Sequence, residues 1–238
     1  MKNLKLCAQD AYLALYPQSK KPVGVNWPDE GTSQEQALAT NGNLGLLLGP
    51  KSDVMDVDLD CREAKGLAEL ILPKPLAQFD RGTSDSGHYL YKAITCGPTK
   101  RFSGNGPKST LVELRGDGSQ TMIPPSIHPD GSRLNFTDIN QDAPEVEYAD
   151  LLKSVSLLAA CAEVAQLWVS GRRHELALSF SGLCLKQNVN PQLLINIIQR
   201  ICQTMGDRDE QDRMNCVRTS VGKPHDELRG YNGLVDCI

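Results

Sequence analysis

In Val54-Met55-Asp56-Val57-Asp58-Leu59-Asp60, apolar and acidic residues alternate from Met55 onward. In a β-strand successive side chains point to opposite faces. Met55, Val57 and Leu59 therefore share one face and can enter a core, while Asp56, Asp58 and Asp60 share the other. Neighbouring carboxylates on that face stand about 6.5–7 Å apart at Cα. Grouped carboxylates repel one another unless a cation neutralises them. Oxygen-only donors favour Mg²⁺ or Mn²⁺ over zinc. Two such ions about 3.5–4 Å apart can activate an attacking oxygen and stabilise a leaving one. The plainer reading is a solvated edge strand whose aspartates discourage aggregation, and the strand alone does not separate the two.

Outward from this strand the period is first that of strands, then that of helices. Asn43-Leu44-Gly45-Leu46-Leu47-Leu48-Gly49 reads as a buried strand bracketed by glycine, and Gly87 to Ala93 as another. Thr110–Arg115 and Gln120–Ile123 are joined by Gly116-Asp117-Gly118, the composition of a hairpin turn. Leu4 to Leu15 is expected to be a short amphipathic helix stopped by Pro17. From Tyr148 the spacing of Leu151, Leu152, Val155, Leu158 and Ala159 is helical. The same spacing recurs through Leu176, Phe180 and Leu183, and again through Leu193, Leu194, Ile197, Ile198 and Ile201. Asn190-Pro191 is a helix start, an N-cap followed by proline. The expected fold class is α+β, with a catalytic domain over residues 1–147 and an all-α module over 148–238. The acidic stretch 136–150 forms the boundary.

Bulk properties narrow the function classes. The net charge of −4 and pI near 5.6 argue mildly against a nucleic-acid partner, but the distribution is uneven. Residues 51–85 carry a net −3 and residues 86–135 a net +3, an acidic stretch beside a basic one, as suits a metal site facing phosphates. The eight cysteines are scattered and form no CxxC pair, so clustered zinc or iron–sulfur sites are not expected. Cys161, Cys184, Cys202 and Cys216 read as buried small hydrophobes. No apolar run approaches the roughly 18 residues of a membrane span, and the first residues lack a signal-peptide pattern. A cytoplasmic protein without membrane partners is expected.

Three further segments keep the aspartates company. Thr83-Ser84-Asp85-Ser86-Gly87-His88 leads from a turn into a strand, presenting Ser86 and His88 to a phosphate. The plainer reading of a lone histidine is one satisfied by a backbone carbonyl. In Leu111-Val112-Glu113-Leu114-Arg115, Glu113 and Arg115 share a face. Glu113 is a third acidic ligand, or else half of an exposed ion pair worth under about 1 kcal/mol. Pro124-Pro125-Ser126-Ile127-His128-Pro129-Asp130-Gly131 is a rigid segment offering Ser126 and His128.

Taken in order, these segments resemble the primase-polymerase family of the archaeo-eukaryotic primase superfamily. Lys20-Lys21-Pro22, Trp27 and Asn43 to Gly49 add similar opening elements. The resemblance spans residues ~10–136. It implies a small α/β module joined to a recognition-motif-like sheet, with the site between them. By position it assigns Asp56, Asp58 and Glu113 to a two-metal Mg²⁺ or Mn²⁺ site, with His88 completing the catalytic set. Ser86 and His88 fall to the incoming nucleotide's phosphates, and Arg115, Ser126 and His128 to further nucleotide contacts. The implied partners are a single-stranded DNA template, nucleoside triphosphates and, as a candidate, a replicative helicase.

The expected activity is template-directed nucleotidyl transfer, by a primase or polymerase of a phage, plasmid or other mobile element, or of a CRISPR-linked system. The alternatives are a non-catalytic replication-initiation module binding nucleotide or single strands, and a metal-dependent nuclease needing neither Ser86 nor His88. The helical module is expected to serve primer initiation, with Arg172, Arg173 and His174 at a helix start holding an anion.

Overall fold

The computed structural model describes residues 6, 7, 10–82, 85–104 and 110–235. In chain order it contains β1 (Tyr12–Leu15), α1 (Gln34–Leu38), β2 (Asn43–Leu47), β3 (Val54–Leu59), α2 (Arg62–Ile71), β4 (Ala77–Asp80) and β5 (Gly87–Thr95). There follow β6 (Lys100–Ser103), β7 (Thr110–Arg115), β8 (Gln120–Ile123), β9 (Asn135–Ile139) and β10 (Val146–Glu147). Helices α3 (Tyr148–Gln166), α4 (Arg173–Lys186), α5 (Pro191–Met205), α6 (Glu210–Ser220) and α7 (Tyr231–Val235) come last. The fold is the α+β class expected.

The acidic strand β3 lies inside the larger sheet, whose order is β6-β7-β3-β5-β4-β9, with β10 added in parallel to β5. The pairings along that path are antiparallel. A strand with a neighbour on each side has no open edge to protect, so the edge-strand reading of its aspartates fails. A smaller sheet, β1-β2-β8, faces it.

Two sequence expectations are corrected here. The helix expected over Leu4–Leu15 is a strand at Tyr12–Leu15, paired residue by residue with Leu46 to Asn43 of β2. Tyr12, Leu13 and Leu15 are all buried, and a one-sided helix could not bury them together. Residues 4, 5, 8 and 9 of that segment lie outside the described residues. The Gly116-Asp117-Gly118 turn forms, with Ser119 N donating to Gly116 O at 3.1 Å, but it joins no hairpin. β7 pairs with β3 and β6, whereas β8 pairs with β2. The turn is tied elsewhere: Asp117 N donates to Gly97 O at 2.9 Å. Gly49, at φ 86°, lies so close that a Cβ there would sit 2.7 Å from Asp117 Oδ1. Glycine at 49 thus lets the chain cross from one sheet to the other.

Met55, Val57 and Leu59 share a core with Tyr91, with α2 and α3–α6, whose contributions include Val155 and Ile197, and with Trp168 between α3 and α4. Val54 and Leu90, on the opposite face, belong to a second core with Leu44, Leu46 and Phe79. The first core runs through the 147/148 position without interruption, because α3 covers the back of the sheet. The acidic stretch 136–150 is not merely a connection. It supplies β9 and β10 and the first turn of α3. In the helical region Asn190 caps α5, its side chain accepting from Gln192 N and Leu193 N, and Gly206 closes the helix in the left-handed conformation at φ 64°.

Candidate active site

Register places the site residues. Asp58 pairs with Glu113 on one side and His88 on the other, so three adjacent strands present Glu113, Asp58 and His88 in one row. Asp56, one step along, pairs with Arg115. Directly opposed residues of antiparallel strands lie about 4.5–5.5 Å apart, close enough for these charges to act on one another. The row opens into a cleft of about 270 Å³, closed on its far side by Gln120, Thr121 and Met122 of β8. The cleft thus lies between the two sheets.

His88 is held on several sides. Its ring stacks on Phe79, centroids 4.6 Å apart and 8° from parallel, and Phe136 meets Phe79 edge-on. Nδ1 faces Asp56 Oδ2 at 3.0 Å, and Nε2 lies 3.6 Å from Asp58 Oδ1. Carboxylates rather than a backbone carbonyl thus engage this histidine. Burial alone would lower its pKa, but Asp56 and Asp58 carry it above the ordinary value, so it favours the imidazolium, a donor at both nitrogens.

The carboxylates differ among themselves. Asp56 is fully buried and does not face the cleft. Burial opposes its charge, yet His88 and Arg115 hold its pKa below the ordinary value. Asp58 reaches the cleft, and burial, reinforced by the negative charge of Asp56, raises its pKa. Asp60 is pushed up to about 6, by burial first and then by Asp58. For both residues burial is the larger cause, and a neighbouring carboxylate adds to it. Arg115 sits among the acids, 3.6 Å from Asp56 Oδ2, 3.9 Å from Asp58 Oδ2 and 3.8 Å from Glu113 Oε2. It also donates to Gln120 O at 2.6 Å, tying the two sheets together. Glu113 is paired with Arg101 at 3.1 Å across β6 and β7.

At the other end of the cleft Arg81 reaches Asp130 at 2.6 Å, His128 Nδ1 at 3.3 Å and the Ser86 hydroxyl at 3.3 Å. Hydrogen bonds from Ser132, followed by the bond from His128, hold the Asp130 carboxyl well below the usual range. Lys65 binds Asp80 at 2.7 Å and the Ser86 carbonyl at 3.0 Å.

Asp58, Glu113, His88, Ser86, Arg115 and His128 therefore converge on one cleft. Other expected residues are placed differently. Ser126 is buried, its hydroxyl accepting from Leu44 N at 2.8 Å and donating to Leu44 O at 3.2 Å. Its bonds hold the proline-rich segment to β2, and it does not line the cleft. Arg173 binds Asp207 at 3.3 Å and His174 binds Asp212 at 2.8 Å. Both pairs are internal to the helical region, and neither residue lines the cleft, nor does Arg172. Sequence reading passed over Arg81, Asp80 and Gln120, which line the cleft, because a single arginine beside a turn carries no spacing signal. Thr83 and Ser84 lie outside the described residues.

An antiparallel sheet bearing a row of two carboxylates and a histidine thus faces a small second sheet across a polar cleft, within an α+β fold. The family model described as bifunctional DNA primase/polymerase, N-terminal, matches residues 6–149, and the chain belongs to that family. At family level it is a nucleotidyltransferase of the DNA primase/polymerase type, with DNA and nucleotides as its substrates. No curated protein matches the chain. Among the described residues no helix is long and apolar enough to cross a membrane.

Proposed function

We propose that the cleft performs metal-dependent, template-directed nucleotidyl transfer, starting or extending DNA primers in the replication of a phage, plasmid or other mobile element. The carrying observation is the row Glu113–Asp58–His88 across three strands. The two carboxylates of that row are oxygen donors, which suit Mg²⁺ or Mn²⁺. Asp58 and Glu113, which line the cleft, would hold the ions, and Asp56, buried behind them, would act on the site through His88 and Arg115. Bound there, the metal would stabilise the charge that develops on the α-phosphate as the primer 3′-hydroxyl attacks.

The chain's own residues do the rest. Asp56 accepts from His88 Nδ1 and fixes the ring, while Nε2 donates toward a phosphate oxygen of the incoming nucleotide. Ser86 and Arg81 stand beside it. Arg81 and Lys20 are cleft cations that can meet a triphosphate, whereas Arg115 is surrounded by carboxylates. Phosphoryl transfer depends on positioning and charge more than on covalent chemistry, and these residues supply both.

The test is extension of a primed single-stranded template with labelled nucleotides and Mg²⁺ or Mn²⁺, beside separate measurements of nucleotide and template affinity at fixed salt. His88→Ala should weaken nucleotide binding by about 10-fold or more and leave template binding nearly unchanged. Equal loss of both affinities would reject the phosphate role of His88. Nucleotide binding without product from the unaltered chain would reject catalysis and leave a binding module.

A further inference from the structure

His174, in the first turn of α4, and Asp212 and Cys216, one turn apart on α6, bring three donor atoms of different kinds within 4.8 Å of one another. His174 Nδ1 lies 2.8 Å from Asp212 Oδ2 and 3.8 Å from Cys216 Sγ. The same nitrogen faces both partners. A Cys–His–Asp nucleophilic relay needs one ring nitrogen toward the thiol and the other toward the carboxylate, so this arrangement is not one. Three donor atoms so close together can converge on a single ion.

We propose that His174, Asp212 and Cys216 bind one Zn²⁺ ion that clamps α4 to α6, at a site separate from the cleft. Bond lengths of about 2.0–2.3 Å in a tetrahedral site put donors roughly 3.3–3.7 Å from one another. Sγ and Nδ1 are already near that spacing. Asp212 and His174 need only part from their mutual hydrogen bond, and both are about half exposed, at 49% and 51%, so they can move. Cys216 is the buried anchor; on binding it releases its thiol proton to solvent and ligates as thiolate.

A nitrogen, sulfur and oxygen set selects a borderline ion such as Zn²⁺ over Mg²⁺. Two contacts compete: the Cys216 thiol donates to Asp212 O at 3.5 Å, a bond given up with the thiol proton, and Arg213 Nη1 also reaches the Asp212 carboxylate. Arg213 is held independently by Asp207 at 3.1 Å and Asp209 at 3.5 Å, so Asp212 can turn to the ion without leaving it unpaired. A thiolate, a carboxylate and Zn²⁺ sum to zero charge, so the filled site does not repel Lys223, which lines the pocket beside it. That pocket, bordered also by Asn215 and Thr219, leaves room for water as the fourth ligand. The spacing along the sequence hid this site, because His174 and Cys216 stand 42 residues apart.

The test uses the full chain, stripped with chelator and titrated with Zn²⁺ and, in parallel, with Co²⁺. We expect a thiolate-to-cobalt charge-transfer band, which a carboxylate site cannot give, saturating at one equivalent and abolished by Zn²⁺. Cys216→Ala should remove the band, and His174→Gln should weaken binding by about 10–100-fold or more. Zn²⁺ should raise the melting temperature of the unaltered chain and not of either variant. Should Cys216→Ala fail to fold, His174→Gln, an exposed change, decides alone. Absence of the band, or Zn²⁺ affinity unchanged in His174→Gln, overturns the proposal.

Discussion

Asp56 and Asp58 stand on one face of one strand, yet their substitution has different consequences. Asp58 borders the cleft, and its charged neighbours lie at 3.6 and 3.9 Å, too far for strong hydrogen bonds. Asp58→Asn should therefore leave the fold intact and lower nucleotide incorporation by at least about 100-fold. Asp56 is fully buried between His88 and Arg115, and removing it strands two cations. Asp56→Ala should cost about 3 kcal/mol of stability, a drop of roughly 6–12 °C in melting temperature for a chain of this size. Melting curves beside the extension assay check both. An Asp58→Asn protein that keeps its activity would remove Asp58 from the metal site. An Asp56→Ala protein melting with the unaltered chain would mean that the buried pairs contribute little.

At the scale of elements, Asp207 links the end of α5 to α4 and α6. It accepts from Trp168 Nε1 at 3.0 Å and Arg213 Nε at 3.1 Å, and it pairs with Arg173 at 3.3 Å. Although burial opposes its charge, the bonds from Asp209 N, Arg213 and Trp168 lower its pKa below the ordinary 3.8. A depressed carboxylate contributes stability that is complete above its unfolded pKa and is lost as pH falls toward the folded one. The chain should thus lose helical-region stability on acidification below about pH 4. Asp207→Asn should melt lower at neutral pH and show a shallower acid dependence. Melting curves from pH 7 to 3 decide this, and identical pH slopes for the two proteins would refute it. The position of Arg173 at a helix start suggests a bound anion as its partner. Its partner is instead Asp207, 34 positions further along, which no local pattern reveals.

Across the whole molecule, the helices and the catalytic sheet are one packed body. α2 contacts both α3 and α5, and the apolar face of β3 belongs to the same core as Val155, Trp168 and Ile197. The family match ends at residue 149, but the core does not. The sequence suggests a separate helical module that serves primer initiation; the packing leads to another outcome. A chain ending at Asp150 would expose Met55, Val57, Tyr89 and Tyr91, a contiguous apolar surface of the kind that causes association. It should lack a cooperative melt and bind a hydrophobic dye. A soluble, cooperatively folding 1–150 chain would show the helical region to be a separable module after all.

The sequence alone determined which residues share a face and where the period changes. Alternation in β3 set Asp56, Asp58 and Asp60 opposite Met55, Val57 and Leu59. Helical spacing marked α3, α4 and α5, and Asn190-Pro191 marked where α5 begins. Those features are local, because a side chain's direction follows from the backbone beside it. Helix α2, with Ala64, Leu67, Ala68 and Ile71 on one buried face, was equally legible and was passed over. The tertiary structure decided which strands are neighbours. It put β3 between β5 and β7, set Glu113 and His88 on either side of Asp58, and buried Asp56 while Asp58 reached the cleft. It also sent β7 and β8 to different sheets and brought Arg81 to His128. Pairing and register are fixed by what long-range contacts bury, and a sequence period specifies the face a residue occupies, not the chain that will lie against it.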